Sequence, residues 1–407
     1  MKAIRLLPAM VITSLLNAAN IPGTNPDGLV VHEWGTFTSV AAEDGSAIVW
    51  NTLGCKSDLP RFVNDFGYRG LKLGISGTVR METPVLYFYS SRELDAHVQV
   101  TFPQGVITEW YPQAQYEAHQ IGPADGSVHL APRNVSGCIK CHRDLNGIRL
   151  DTDKLTGTLE WSNIHVQPGA LPSLPVESEP SRYYAARQTD AVPVTIGGQH
   201  EKFLFYRGVG NFPVPISATV SHSGQVVVDT RTEQPVPTVI LFENHDGRIS
   251  YRSANSVRGS LTLDLPSRNA WFPQLRHDME SALVERGLFP KEAHAMLDTW
   301  QDSWFEEGSR LIYVLPASAV DAILPLEIEP APAHVERVFV GRIELVTPET
   351  KHSLESAIAQ RDWTTVDRYH RFLDPILWRI YGNPSRVNEI ELSYQTHNAS
   401  LAGGNCR

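Results

Sequence analysis

Read for its hydrophobic periodicity, the chain changes character three times. From 29 to about 110, short runs rich in β-branched and aromatic residues, LVVHEWGTFTSV, SAIVW, TPVLYFYS, HVQVTF and VITEWYP, are separated by turns such as Glu43-Asp44-Gly45 and Pro103-Gln104-Gly105. Runs of this composition between turn residues predict strands. Between 112 and about 181 the period lapses, apart from a short strand over 158–166, and the stretch closes on the proline-rich PGALPSLPVESEP. Long segments without regular structure are uncommon inside folded domains and tend to carry function. Strands then resume over 202–207, 216–221, 225–229, 238–243 and 249–252, with His245-Asp246-Gly247 as a hairpin turn between the last two.

Near Trp271 the period lengthens to that of a helix. Leu275, Met279, Ala282 and Leu283 share a face, and Gly287 stands where a C-terminal cap would. Pro290 opens a second helix, whose Ala293, Met296, Leu297, Trp300 and Trp304 form an apolar stripe. The strand runs RLIYVLP and VERVFVGRIELVTP follow, then helices over 352–360 and 363–373, and a last one from Asp374-Pro375, an N-cap with an N1 proline. The pattern predicts an α+β fold: a β-rich lobe (27–265) broken by a long irregular insertion (113–190), then a lobe of helices and a few strands (266–407).

Length supports two lobes rather than one, since 407 residues exceed the size at which a single core keeps growing. The N-terminus adds a compartment. Lys2 and Arg5 precede a mostly apolar stretch from Leu6 to Ala19, too short to span a bilayer, which reads as a secretory signal peptide over 1–19. A periplasmic or secreted location is therefore expected, with no integral membrane span. The formal charge of −10, with both signs interspersed, offers no basic stripe for nucleic acid.

Within the irregular insertion lies CIKCH: Cys138 and Cys141 spaced C-x-x-C, with His142 directly after. In a chain with 4 Cys and 15 His, chance would produce such a string in roughly one case in several hundred. The run resembles the attachment sequence of c-type cytochromes. There, two thiols add across the porphyrin vinyl groups and the adjoining imidazole becomes the proximal iron ligand. Haem c bound through Cys138, Cys141 and His142 is the first reading. A local disulfide or dithiol redox pair, or part of a zinc site, are the others. Export agrees with haem attachment and equally with disulfides. Cys55 and Cys406 remain as an even pair, bridged or free.

An ordinary cytochrome c module is excluded, because the surroundings of CIKCH are not helical and the first methionine after it is Met279, on a helix face that uses it for packing. A distal ligand would come instead from His119 or His129, with His165 third, unless the position is open. Lys140 and Arg143 flank the motif as candidates for pairing with propionates. Outside it, His32-Glu33, Glu82, Glu243 before His245, and Glu306-Glu307 offer paired carboxylates for acid–base work. Metalloprotease, nucleophile-elbow and phosphate-loop motifs are absent from the sequence.

The segments VHEWGTFTSV, RMETPVLYFYS, EKFLFYRGVG and DSWFEEGSRLIYVLP resemble a group of exported bacterial proteins of uncharacterised activity, and together they bracket nearly the whole mature chain. That resemblance implies no ligand and no catalytic residue. The sequence thus points first to an exported protein with one covalent haem, serving electron transfer or a redox reaction with a redox partner protein. The alternative is an exported hydrolase or glycan-binding protein in which Cys138–Cys141 is a structural disulfide. It sets no oligomeric state.

Overall fold

The opening strand, Val30–Val40, is buried along its whole length, and its neighbours explain why. In the computed structural model, which describes residues 28–52, 59–66, 75–120, 150–151, 154–267 and 269–402, it runs parallel to His334–Leu345 and antiparallel to Val79–Tyr89. These strands are the middle of a nine-stranded sheet. It continues through Gly308–Val314, Val236–His245 and Arg248–Val257 on one side, and through Leu204–Gly210, Gly105–Tyr111 and Asn64–Asp65 on the other. Strands flanked by sheet and covered on both faces read as near-continuous apolar runs, which is the pattern of VLYFY and VFV.

One face packs on a second sheet, ordered Gln199–Glu201, Val194–Ile196, Leu155–Val166, Leu94–Pro103, Leu326–Glu329, with Gln115–Gln120 also paired to Leu155–Val166. Here the burial alternates, since only one face is covered. Val98, Val100, Phe102, Leu159 and Trp161 point inward and share a core with Phe37, Phe88, Tyr206 and Phe339 of the large sheet. The other face of the large sheet carries the helices Phe272–Val284 and Pro290–Trp304. Their Leu275, Met279, Met296, Leu297, Trp300 and Trp304 bury against Trp34, Tyr87, Phe242 and Ile312. Both methionines serve the core, as their helical spacing predicts. A third cluster gathers the helices Pro348–Gln360, Trp363–Asp367, Leu373–Tyr381 and Pro384–Ala402 around Val40 and Trp50.

The α+β class holds, with three corrections to the detail. Strands from both sides of the expected 265/266 boundary share the nine-stranded sheet, so that boundary does not separate two sheets. Periodicity finds strands but not their partners, and the parallel partner of Val30–Val40 comes from the far end of the chain. The expected irregular insertion, 113–190, carries the strand expected over 158–166, lengthened to Leu155–Val166, together with two that were not expected, Gln115–Gln120 and Leu150–Asp151, and a 3₁₀ turn at Arg182–Arg187. The alternation of the long strand is interrupted at two points. Gly157 fills an inward position where a Cβ would come within 3.1 Å of the Ile107 nitrogen, and a bulge between Trp161 and Ile164, with Asn163 at φ 56°, shifts the period. Lastly, SAIVW contributes a single bridge, Ala47 to Ala41, and the first residue of the short strand Trp50–Asn51, and the 363–373 helix breaks into Trp363–Asp367 and a short turn before Leu373–Tyr381.

The hairpin turn at His245-Asp246-Gly247 is present, with Asp246 and Gly247 both at positive φ, as a two-residue type I′ turn requires. The expected signal peptide lies outside the described residues, as do Cys55, Cys138, Cys141, Cys406, His129 and His142. Among the described residues no helix is long and apolar enough to cross a membrane.

Candidate functional site

The stretch that carries CIKCH lies outside the described residues, which end before it at Gln120 and resume after it at Leu150. Gln120 pairs with Leu155, and His119 beside it with Thr156, so the outgoing strand is zipped to the strand that follows the stretch. On return, Leu150–Asp151 runs parallel to Ile75–Ser76, in a small sheet completed by Trp50–Asn51. Both ends are thus rooted in sheet. His119 stands at that root. His165 does not: it lies roughly 30 Å along its strand from Thr156, at about 3.3 Å per residue, and its imidazole is engaged by Asp95.

Of the other residues singled out in the sequence, His32 and Glu33 part company, because neighbours on a strand face opposite ways. The His32 ring stacks on Phe289 at 4.4 Å, and its Nδ1 lies 2.8 Å from Glu292. Glu292 in turn accepts from the Tyr89 hydroxyl at 2.7 Å and from the Phe289 N–H at 2.8 Å, capping the Pro290–Trp304 helix. Glu33, fully buried, accepts from Arg337 at 2.6 Å and from the Tyr206 hydroxyl at 2.5 Å. Glu82 accepts from Thr38 at 2.9 Å and faces Arg80 at 3.1 Å. Burial pushes Glu82 upward, but Arg80, Arg371, Arg207 and Arg342 outweigh it and hold the carboxyl below its ordinary range. Glu33 and Glu82 are therefore neutralised core carboxylates rather than free acid–base groups.

Glu306 enters the same regime through Arg342, which donates to Glu306 at 2.6 Å, to Glu344 at 2.5 and 2.8 Å and to Ser303 at 2.6 Å, with its guanidinium 4.6 Å from the Phe372 ring centre. Arg310 completes the network. It bonds Glu344 at 2.7 Å and turns its remaining N–H groups to the carbonyls of Trp304, Glu306 and Glu307 at 3.0, 2.6 and 2.6 Å. Carbonyls past the end of a helix lack intrahelical donors, and this buried guanidinium supplies them.

Glu307 turns the other way and meets His245 at the hairpin. The imidazole lies among three carboxylates: Glu243 at 3.6 Å and Glu349 at 3.8 Å from Nε2, and Glu307 at 3.8 Å from Nδ1. Glu243 chiefly, with Glu349 and Glu307, raises His245 above its ordinary value against the opposing effect of burial. Burial raises Glu307 in spite of the Asp246 N–H, which it accepts on both oxygens at 3.1 Å. Asp246 is held from outside by Arg368. A cavity of about 440 Å³ opens at the same hairpin, bounded by Gly247, Arg248, Ile249 and by Phe305, which adjoins Glu306. Of the sequence's carboxylate candidates, Glu243, His245 and Glu307 are the set that the fold gathers. Among the described residues no group of three or more His, Cys, Asp or Glu side chains is arranged to hold a metal ion.

In comparisons with known proteins, no family model and no curated protein matches this chain.

A second opening lies beside the return of the CIKCH stretch. This cleft, about 650 Å³, is lined by Val49, Trp50, Ser76, Asp374, Trp378 and Arg379, among others. Arg379 faces Glu43 at 3.3 Å across it. Asp374 hydrogen-bonds Glu391, whose carboxyl is pushed up to about 7 by burial first and then by Asp374. Sequence reading missed the cleft, Glu349, Arg310 and Arg342. The arginines carried a signal, since each sits in a strand run with apolar residues around it, where a charge can only be buried and paired. The cleft carried none, because its walls come from three segments far apart in the chain.

Proposed function

We propose that this chain carries one covalently attached c-type haem, with Cys138 and Cys141 as thioether sites and His142 as proximal ligand, and that it serves electron transfer or a redox reaction in the periplasm or outside the cell. The observation that carries this reading is CIKCH itself, in a chain whose N-terminal sequence reads as a signal peptide and whose cysteines otherwise number only two. When bound, the haem supplies one-electron chemistry at iron, tuned by its axial ligands and by burial. The chain's residues supply attachment through two thiols, ligation through one imidazole, and a distal candidate in His119 or His129. His119 is the better placed, standing at the root.

Expression with the cytochrome c maturation machinery tests this directly. A thioether-type pyridine hemochrome spectrum and a mass gain of about 616 Da are expected. Protein that matures fully but shows no such band overturns the reading. A mass lower by about 2 Da, from one disulfide, would favour the second reading, an exported hydrolase or glycan-binding protein. What recommends that alternative is the hairpin: Glu307, raised by burial, faces His245, raised by its carboxylate neighbours, next to the turn whose Gly247 lines a cavity, and a raised acid near an opening is a candidate for acid–base work.

A further inference from the structure

The cavity at the His245 hairpin has a floor and a wall that are both held in place. Phe305 lies edge-on to Phe272 at 5.0 Å and to Phe242 at 5.5 Å, and its carbonyl accepts from the Asn244 side chain at 2.9 Å. Opposite, the Ala270 N–H donates to the Ile249 carbonyl at 2.8 Å and the Ser250 hydroxyl to the Pro266 carbonyl at 3.0 Å. Ile249, Phe272 and Phe305 form the apolar part of the lining, and the exposed Arg248 and Asn269 the polar part. Among the described residues neither of these polar side chains has a hydrogen-bond or ion-pair partner. Arg276 and Arg368, by contrast, are spent on Asp298 and Asp246. Between the lining residues Ala270 and Phe272 stands Trp271, 71% exposed and the most exposed tryptophan among the described residues.

The volume of about 440 Å³ lies within the roughly 300–1,000 Å³ of small-molecule sites, and the composition narrows the class of ligand. An enclosed apolar pocket takes an apolar ligand, whereas an open one that sets an amide and a guanidinium among aromatic rings takes a ligand that is itself two-sided. A pyranose ring is of that kind. It offers C–H groups on one face to an aromatic ring, and hydroxyls at its edge to an amide that both donates and accepts. The unpaired guanidinium adds a demand for a carboxylate, which it binds through two parallel N–H bonds. We propose that this cavity binds a uronic acid unit of an acidic glycan, with the sugar face on Phe272, the carboxylate on Arg248, the hydroxyls at Asn269 and the next sugar ring over Trp271. The proposal rests on the second reading above, an exported glycan-binding protein or hydrolase, and is independent of the haem. The acids of the hairpin do not line the cavity and are engaged elsewhere, Asp246 with Arg368 and Glu307 with the Asp246 N–H, so they do not compete for Arg248.

Ligand-observed NMR titration of the full chain tests this with a galacturonic acid disaccharide and the same disaccharide methyl-esterified at its carboxyls. The acid is expected to bind several-fold more tightly than the ester. Arg248→Gln should abolish that difference, weakening the acid about fivefold or more, as loss of a charge-assisted pair at a partly exposed site implies, and leaving the ester unchanged. Arg252→Gln removes an exposed arginine of the same strand that does not line the cavity, and should leave both affinities as they are. Trp271→Ala should weaken acid and ester alike. Equal binding of acid and ester by the wild type, or equal losses in Arg248→Gln and Arg252→Gln, overturns the uronate assignment and leaves the glycan-binding reading standing. Binding of neither form overturns the proposal and, with it, glycan binding at this cavity.

Discussion

Glu306 and Glu307 are adjacent in sequence and end in opposite electrostatic settings. Glu306 is drawn into the sheet-side network, where burial would raise it but Arg342, Arg371 and Arg310 prevail and hold it low. Glu307 lies against the hairpin, where burial prevails over the Asp246 N–H, His245 and Arg368 and raises it. The difference is one of geometry. Arg342 meets Glu306 at 2.6 Å with directed hydrogen bonds, whereas His245 stands 3.8 Å from Glu307, too far for one. The first region is closed and spends its charges on structure. The second keeps charges that are only partly answered, the condition under which a site can change protonation near neutral pH.

The comparison breaks most severely at Arg342. Arg342→Met deletes four donated bonds and leaves Glu344 and Glu306 buried with too little positive charge. Removing one partner from a buried ion network costs about 3–5 kcal/mol. Urea denaturation at pH 7 should show that loss, and a loss below about 1 kcal/mol would place the network with ordinary exposed pairs.

A paired test at the two glutamates sharpens it. Glu306→Gln weakens charge-assisted bonds to buried arginines and should cost about 1–3 kcal/mol. Glu307→Gln replaces a carboxylate whose ionised form the fold disfavours, so its effect should stay within about 0.5 kcal/mol of zero. Equal losses in the two variants would mean that the adjacent residues do not differ as their surroundings imply.

How much of this was legible in the sequence varies by the kind of information involved. The helix faces at Leu275 to Leu283 and Ala293 to Trp304 were readable, because their period reflects a single buried side. The hairpin at His245 was readable because Asp-Gly answers a local backbone demand. The pairing of Val30–Val40 with His334–Leu345 was not, and neither was the meeting of His245 with Glu349, since both depend on which distant segments become neighbours. Arg342 illustrates the intermediate case: a charge inside VFVGRIELV announces burial and a partner without naming Glu306 or Ser303. CIKCH is legible as a motif alone, and the cleft beside Ser76 is not legible at all, since no spacing in the sequence brings its walls together.

The smallest expected effect is the pH response of the hairpin. His245 is raised above its ordinary 6.5 by Glu243 first and by Glu349 and Glu307, against burial, and Arg368 is turned aside by Asp246. An imidazole whose folded value exceeds its unfolded one stabilises the fold fully below about pH 6.5, and that contribution is lost as pH rises through the folded value. Wild-type stability should therefore fall above pH 6.5 more steeply than that of His245→Asn, by about 1 kcal/mol or less, since the group is partly exposed. Glu307 adds a decline of the same sign that begins lower, near its ordinary 4.5, so the variant should retain that earlier part of the slope. Superimposable pH profiles of wild type and His245→Asn above pH 6.5 would show that the three carboxylates do not hold the imidazolium, and would return His245 to the role of a turn residue.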